Sequence, residues 1–371
     1  MSTGWWIDAA PSPPLSLPPG WLPSRPNGGW AYRDRIPAAR AGLGVVAFYA
    51  GRYGHSSAEA WERRLAAGEI SRNGVPLRAD AVLVGGDRLV WQRPPWPEPA
   101  VPAQWGVIHD DGDLLVIDKP SGLPVLPSGG FLEHTVLRLL ERRHGDDPAG
   151  VPRPVHRLGR FTSGLLVCAR RPATRAWLSA QLRESTGSLT SGASGGVGGG
   201  VGGEVAPCRK LYRALLVPGR LALAAGDSLV ITTPIGRRTH PPLGEIWCAA
   251  EAGDPAALAA HSQLTLLESG GEADLVEVAI LTGRPHQIRI HCAAIGAPLW
   301  GDPLYLPGGR ARPGGLPGEG GYRLQARWLR LHYPEGSVLE LEAPAAEGLG
   351  TTAECPAAQD HTDRCSGGPK G

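Results

Sequence analysis

The chain has 371 residues, 42% of them hydrophobic and 19% charged, with a formal net charge of +2. Those values describe a globular protein with material for one large domain and one small one, and exclude a disordered chain. No stretch approaches the roughly 18 consecutive apolar residues of a membrane-spanning helix, so no membrane partner is expected.

So small a net charge announces no nucleic-acid partner by itself, but the kind of base says more. Only Lys119, Lys210 and Lys370 are lysines, so nearly all of the 37 basic residues are arginines, whose planar fork suits phosphates and base edges. A GC-rich genome would produce the same bias. The six cysteines, Cys168, Cys208, Cys248, Cys292, Cys355 and Cys365, are scattered without a C-x-x-C pair, which suggests free thiols in a reduced compartment. Cys355, His361 and Cys365 gather near the end, but a zinc site there would need a fourth ligand from a Gly- and Pro-rich segment, so no metal is expected. The N-terminus resembles neither a secretory signal nor an Arg- and Ser-rich transit peptide, which makes the cytoplasm the default compartment.

Residues 1–34, rich in Pro, Trp and Gly, show no helical or strand period and read as an extended lead segment. Residues 35–93 read as a compact unit. Within it Ser56-Ser57-Ala58-Glu59-Ala60-Trp61 offers an N-cap and an apolar face that continues through Leu65 and Ala66, and Gly68 closes the helix. Ile70–Leu77 reads as strand, Asn-Gly turn, strand, and Val82–Val90 adds a second turn and strand. This order is similar to an S4 RNA-binding domain. The resemblance implies a phosphate-facing surface made by Arg63, Arg64 and Arg72, with Arg78 and Arg88 beside them. The alternative reading of the same residues is the solvated charges of an ordinary small α+β unit.

Residues 94–104 contain Pro94-Pro95-Trp96-Pro97-Glu98-Pro99 and read as a stiff linker. Residues 105–347 read as one sheet-dominated α+β domain. Strands are predicted at Leu114–Ile117, Leu165–Val167, Tyr212–Val217, Leu275–Leu281, Gln287–His291 and Trp328–His332, and helices around 132–143 and 172–184. Ser185–Val205 is a Gly-rich insertion. It follows a helix and lacks a P-loop lysine, so it reads as a flexible surface segment and not as a phosphate loop. Residues 348–371 read as a flexible tail.

Four blocks in the large domain carry the chemistry. The first is Asp113-Leu114-Leu115-Val116-Ile117-Asp118-Lys119-Pro120-Ser121-Gly122-Leu123-Pro124-Val125, a strand entering a turn that Pro120 and Gly122 favour. The second is Val155-His156-Arg157-Leu158-Gly159-Arg160-Phe161-Thr162-Ser163-Gly164. The third is Lys210-Leu211-Tyr212-Arg213-Ala214-Leu215. The fourth runs from Thr282-Gly283-Arg284-Pro285-His286-Gln287-Ile288-Arg289-Ile290-His291 to Gly301-Asp302-Pro303-Leu304-Tyr305. In this order and spacing they resemble the RluA-type RNA pseudouridine synthases over roughly 105–335. The resemblance implies a pseudouridine synthase fold, an α+β domain whose mixed, mainly antiparallel sheet carries an RNA cleft, preceded here by the small S4-like module.

The implied activity is isomerisation of uridine in structured RNA (rRNA or tRNA), by a monomer that uses no cofactor and no metal. The target base must leave its stack to be reached, at a cost of a few kcal/mol. By resemblance, Arg157 fills the vacated space, with His156 next to it on the RNA side. Tyr212 stacks on the flipped uracil, although a strand aromatic in that place is also an ordinary core residue. Lys119 either approaches the RNA backbone or pins its loop. Arg289 matches the arginine that pairs with the catalytic carboxylate. That carboxylate, an Asp in the family pattern, is replaced by Gly159. With its partner missing, Arg289 is expected to face water or an RNA phosphate.

The block His156-Arg157-Leu158-Gly159-Arg160, the lead segment's Trp30-Ala31-Tyr32-Arg33-Asp34-Arg35-Ile36 and the linker resemble a plant and cyanobacterial branch with the same Gly, so a plastid location is the expectation for a plant or algal source. The nearest acids in sequence, Asp147 and Glu184, lie outside the block, and Asp118 and Asp302 belong to other blocks with turn or strand roles of their own. The alternative is a catalytically inactive RNA-binding homologue acting in RNA folding or ribosome assembly. A hydrolase using His156 or Ser163 has no ordered Ser-His-Asp pattern behind it.

Overall fold

A computed structural model describes residues 17–54, 56–184, 208–241 and 243–354. The first part of the lead segment, the Ser185–Val205 insertion, and Cys355, His361 and Cys365 of the tail lie outside the described residues.

The N-terminal module contains β1 (Trp30–Arg35), α1 (Val45–Arg52), α2 (Ala58–Ala66), β2 (Ile70–Arg72), β3 (Val75–Pro76) and β4 (Arg88–Arg93). Its sheet runs β1-β4-β2-β3, with antiparallel pairing throughout. Ser57 caps α2, its hydroxyl accepting from the Ala60 N–H at 3.3 Å. Asn73 and Gly74, at φ 52° and 87°, make the β2–β3 turn. The core is aromatic: the Trp61 ring lies 4.7 Å from Tyr49 and 4.7 Å from Trp91 between centroids.

Strand β1 falls largely within the supposed lead segment. Its pairing with β4 makes those residues an edge of the module, with Asp34 turned inward and Arg33 and Arg35 outward. The 94–104 segment is likewise docked. Pro97–Glu98 pairs with Arg25–Pro26, and the fully buried Glu98 carboxylate accepts from the Asn27 side chain and from the Glu133 and His134 N–H groups.

The large domain is built on a ten-stranded sheet. Its elements are β5 (Gly106–Asp110), β6 (Leu114–Lys119), α3 (Val136–Arg143), β7 (Thr162–Ala169), α4 (Pro172–Glu184), β8 (Cys208–Leu216), β9 (Ser228–Ile231), β10 (Ser262–Ser269), β11 (Asp274–Ile280), α5 (Gln287–Ala294), β12 (Leu324–His332) and β13 (Val338–Glu342). The main path is β9-β10-β11-β8-β12-β7-β6-β5, with β13 paired to β12 and a tenth, two-residue strand, Arg153–Pro154, paired to β7. Only β7 and β12 pair in parallel along this path, so the sheet is mixed and mainly antiparallel. Gly164 is required at that junction. Its φ is 95°, and a Cβ there would lie 2.2 Å from the Ala326 carbonyl oxygen of β12.

Two expectations fail here. Gln287–His291 is the start of helix α5 and not a strand. The alternation Gln-Ile-Arg-Ile-His imitates a half-exposed strand, yet every residue from Gln287 to Ala293 is buried. The polar ones hold partners inside: Gln287 bonds Thr282, Ser262 and the His261 carbonyl, while His291 bonds Ser262 and the Thr233 carbonyl. The start of the tail is also fastened, with Leu349 buried and Glu354 paired to both Arg213 and Arg327.

Candidate active site

The second, third and fourth blocks converge on a cleft of about 580 Å³, walled by the 155–162 loop, the early residues of β8, the end of β11, the 283–289 segment and the start of β12. The first block contributes through Lys119, which braces the loop of the second block. The ammonium is fully buried and donates to the carbonyls of Pro120, Leu123 and Arg160 at 2.8, 2.9 and 3.1 Å. Burial pushes its pKa down to about 7, while three carbonyl oxygens match its three donors. Lys119 therefore pins the loop of the first block to that of the second, and its placement as an RNA-backbone contact is corrected. Gly122 adds a reciprocal pair, its N–H donating to the Arg160 carbonyl and its own carbonyl accepting from Arg160 Nε.

His156 is also committed. Its Nε2 accepts the Val167 N–H at 3.0 Å, tethering the 155–161 loop to β7, and burial holds its pKa down at about 3. The half-buried ring still lines the cleft, as a neutral face and not as a cation. Arg157 is exposed at the cleft, and among the described residues its guanidinium has no hydrogen-bond or carboxylate partner. Tyr212 lines the same space from β8, half-buried.

Arg289 departs from expectation. It is 3% exposed, and its Nε and Nη2 each bond the Asp302 carboxylate at 2.7 Å. Asp302 also accepts the Leu304 and Tyr305 N–H groups, so the turn that follows α5 carries the carboxylate to its arginine. Arg289 thus faces neither water nor a vacant site. Its guanidinium lies 4.3 Å from the centre of the Tyr322 ring and 5.1 Å from that of Tyr305.

Gly159 lines the cleft, and the space a side chain would enter is occupied. A Cβ at this position would stand 2.9 Å from the Tyr322 hydroxyl and 3.2 Å from Thr162 Oγ1. Among the described residues, no aspartate or glutamate lines the cleft.

His286 sits at φ 55°, an uncommon conformation for a residue with a side chain. The Tyr305 hydroxyl donates to the Trp247 carbonyl at 2.9 Å, so it accepts from His286 Nδ1 at 2.7 Å. The imidazole therefore carries its proton on Nδ1, and burial keeps it neutral, with its pKa lowered to about 4. Reasoning from the sequence missed both Tyr322 and the pairing role of Asp302. Tyr322 belongs to none of the four blocks, and Asp302 was read as a turn residue.

In the N-terminal module, Arg63 is exposed, but Arg64 and Arg72 are not the free phosphate ligands expected. Arg64 lies over the Trp61 and Trp91 rings at 4.3 and 4.6 Å and bonds the Ser56 hydroxyl. Arg72 pairs with Asp87 at 2.8 Å and donates to the Val82 carbonyl. The basic surface that stands open is elsewhere. Arg33, Arg35 and Arg40 are exposed around a cavity of about 530 Å³, unpaired with any acid among the described residues.

Comparison with known sequences gives the family. The sequence pattern of the RNA pseudouridylate synthase family matches residues 113–188. A protein named as an uncharacterized RNA pseudouridine synthase, from Synechocystis sp., is 40% identical over 83% of this chain and 96% of its own length. RNA pseudouridine synthase 5 of Oryza sativa subsp. japonica is 35% identical over 92% of both chains. Ribosomal large subunit pseudouridine synthase D of Pseudomonas aeruginosa is 30% identical over 76% of this chain and 81% of its own. The chain belongs to the RNA pseudouridine synthase family, whose members are isomerases, and within it to the RluA type.

Proposed function

We propose that the protein isomerises uridine to pseudouridine in structured RNA, ribosomal or transfer, as a monomer in the cytoplasm, or in the plastid of a plant or alga. The observation that carries the reading is the convergence of Arg157, Tyr212, Arg289 and Gly159 on one cleft from three separate blocks. Arg157 is free to enter the stack that the uridine leaves, and Tyr212 offers a ring to the flipped base. Relatives named for large-subunit ribosomal RNA and for position 32 of tRNA support the substrate class without choosing within it. We further propose that the N-terminal module is S4-like and binds RNA phosphates, through Arg33, Arg35 and Arg40.

The missing carboxylate supports a second reading, an RNA-binding homologue without turnover that acts in RNA folding or ribosome assembly. The test incubates the full chain with total RNA from cells lacking it and measures pseudouridine by mass spectrometry. New pseudouridine at defined positions supports the synthase. RNA that is bound tightly but unconverted, at protein in excess over RNA, decides for the second reading.

A further inference from the structure

The volume that a carboxylate at position 159 would begin to fill is held by a phenol. Tyr322 is 3% exposed overall, yet it lines the cleft, and its hydroxyl lies 2.9 Å from where a Cβ of residue 159 would stand. That hydroxyl has no hydrogen-bond partner among the described residues, so neither its proton nor its lone pairs are spent on the fold. The ring, by contrast, is held on two sides: Phe161 meets it edge-on at 6.3 Å, and the Arg289 guanidinium lies 4.3 Å from its centre. Among the described cleft residues there is no aspartate or glutamate to compete for an acid–base role. Lys210 donates to the Leu182 carbonyl, and His156 is engaged by Val167.

We propose that the Tyr322 hydroxyl takes the station of the absent carboxylate and serves as the proton carrier of the isomerisation, an inference that rests on the synthase reading above. As the C1′–N1 bond breaks, its electron pair stays on N1, which takes the phenol proton. This leaves neutral uracil, a cationic ribose carbon and a phenolate. The uracil turns, and C5 supplies the pair that forms the C1′–C5 bond. The C5–H bond then gives its pair back to the ring and its proton to the phenolate. The proton that started on Tyr322 ends on N1, the one from C5 restores the phenol, and no other reactant is required. Between the two transfers the phenolate faces the ribose cation, with the Arg289 guanidinium 4.3 Å from the centre of its ring. Asp302 keeps that guanidinium in place by its two 2.7 Å bonds.

The test compares wild type, Tyr322→Phe and the double variant Gly159→Asp/Tyr322→Phe in single-turnover conversion of the RNA that wild type modifies. Loss of an unbonded hydroxyl leaves the fold intact. Tyr322→Phe should therefore keep thermal stability and RNA affinity while losing about 100-fold or more in rate, the usual weight of one proton-transfer group. Removing the hydroxyl also clears the space beside position 159, so the double variant should regain conversion through its carboxylate. Tyr322→Phe at the wild-type rate overturns the inference and leaves the synthase reading standing. A loss of affinity equal to the loss of rate, or a double variant as inert as Tyr322→Phe, also overturns it, since either makes Tyr322 a residue that shapes the cleft. A wild type that binds RNA without converting it overturns the synthase reading itself.

Discussion

In the N-terminal module Arg33, Arg35 and Arg40 stand exposed around an open cavity, unpaired among the described residues. In the cleft of the large domain Arg289 is 3% exposed and locked to Asp302 by two bonds of 2.7 Å. The same side chain serves two purposes. An exposed arginine costs little to keep and waits for a phosphate from outside, and its effect fades with salt. A buried one must bring its counterion with it, so it organises a site and is strongly destabilising to disturb. Under the function proposed above, the difference assigns recognition to one region and chemistry to the other, an assignment that mutation can test.

The largest effect is expected at the buried pair. Arg289→Ala leaves the Asp302 carboxylate, fully buried at its side chain, without its cation, and should cost about 3–5 kcal/mol in urea unfolding. A cost under about 1 kcal/mol would mean that the pair does not hold the cleft.

Acid should act on the same region next. His286 and His291 are buried neutral, with folded pKa values lowered by burial to about 4 against 6.5 unfolded. The unfolded chain therefore takes up protons below pH 6.5 that the folded one refuses, and stability falls with pH from there down to about 4. The expected loss from these two groups together is roughly 2 kcal/mol between about pH 6.5 and 5.5. Hydrogen exchange should show α5 opening in that window before α2. Simultaneous opening of both helices would remove the contrast between the regions.

Position 159 comes third. Gly159→Asp alone forces the new side chain against the Tyr322 hydroxyl and should cost about 1–2 kcal/mol, as other overpacked sites do. Adding Tyr322→Phe should recover most of that loss in thermal unfolding. Full additivity of the two changes would show that the residues do not meet.

The smallest effect on stability should come from the open arginines. Replacing Arg33, Arg35 and Arg40 with Gln should shift stability by less than about 0.5 kcal/mol. It should nevertheless weaken RNA binding and flatten its salt dependence, by about 0.7–0.9 in slope for each RNA phosphate left without its arginine. An unchanged slope would remove the module's face from RNA recognition.

What can be read from the sequence follows the range of the interactions involved. Ser57 as a helix cap, Asn73-Gly74 as a turn and Gly68 as a stop are decided by neighbours within a few residues, and each appears where short-range chemistry puts it. The first helix of the module was not anticipated. It spans eight residues, includes Gly51 and starts without a side-chain cap, so it rests on packing, its own Tyr49 stacking on Trp61 of α2. Helix α5 was misread because its alternation assumes that polar means exposed, whereas Gln287, Arg289 and His291 are buried with partners.

By itself, the sequence determined the family, the order of the blocks and the mainly antiparallel α+β domain. Motif residues such as Gly164 and Gly122 record local backbone demands that no other residue type meets as well. It also declared that position 159 has no carboxylate. Only the tertiary structure decided what stands in the space. Tyr322 reaches Gly159 because β12 lies parallel beside β7, and Asp302 reaches Arg289 because the chain turns back after α5. Contacts of that kind depend on sheet register and on the path between elements, which no short window of residues contains.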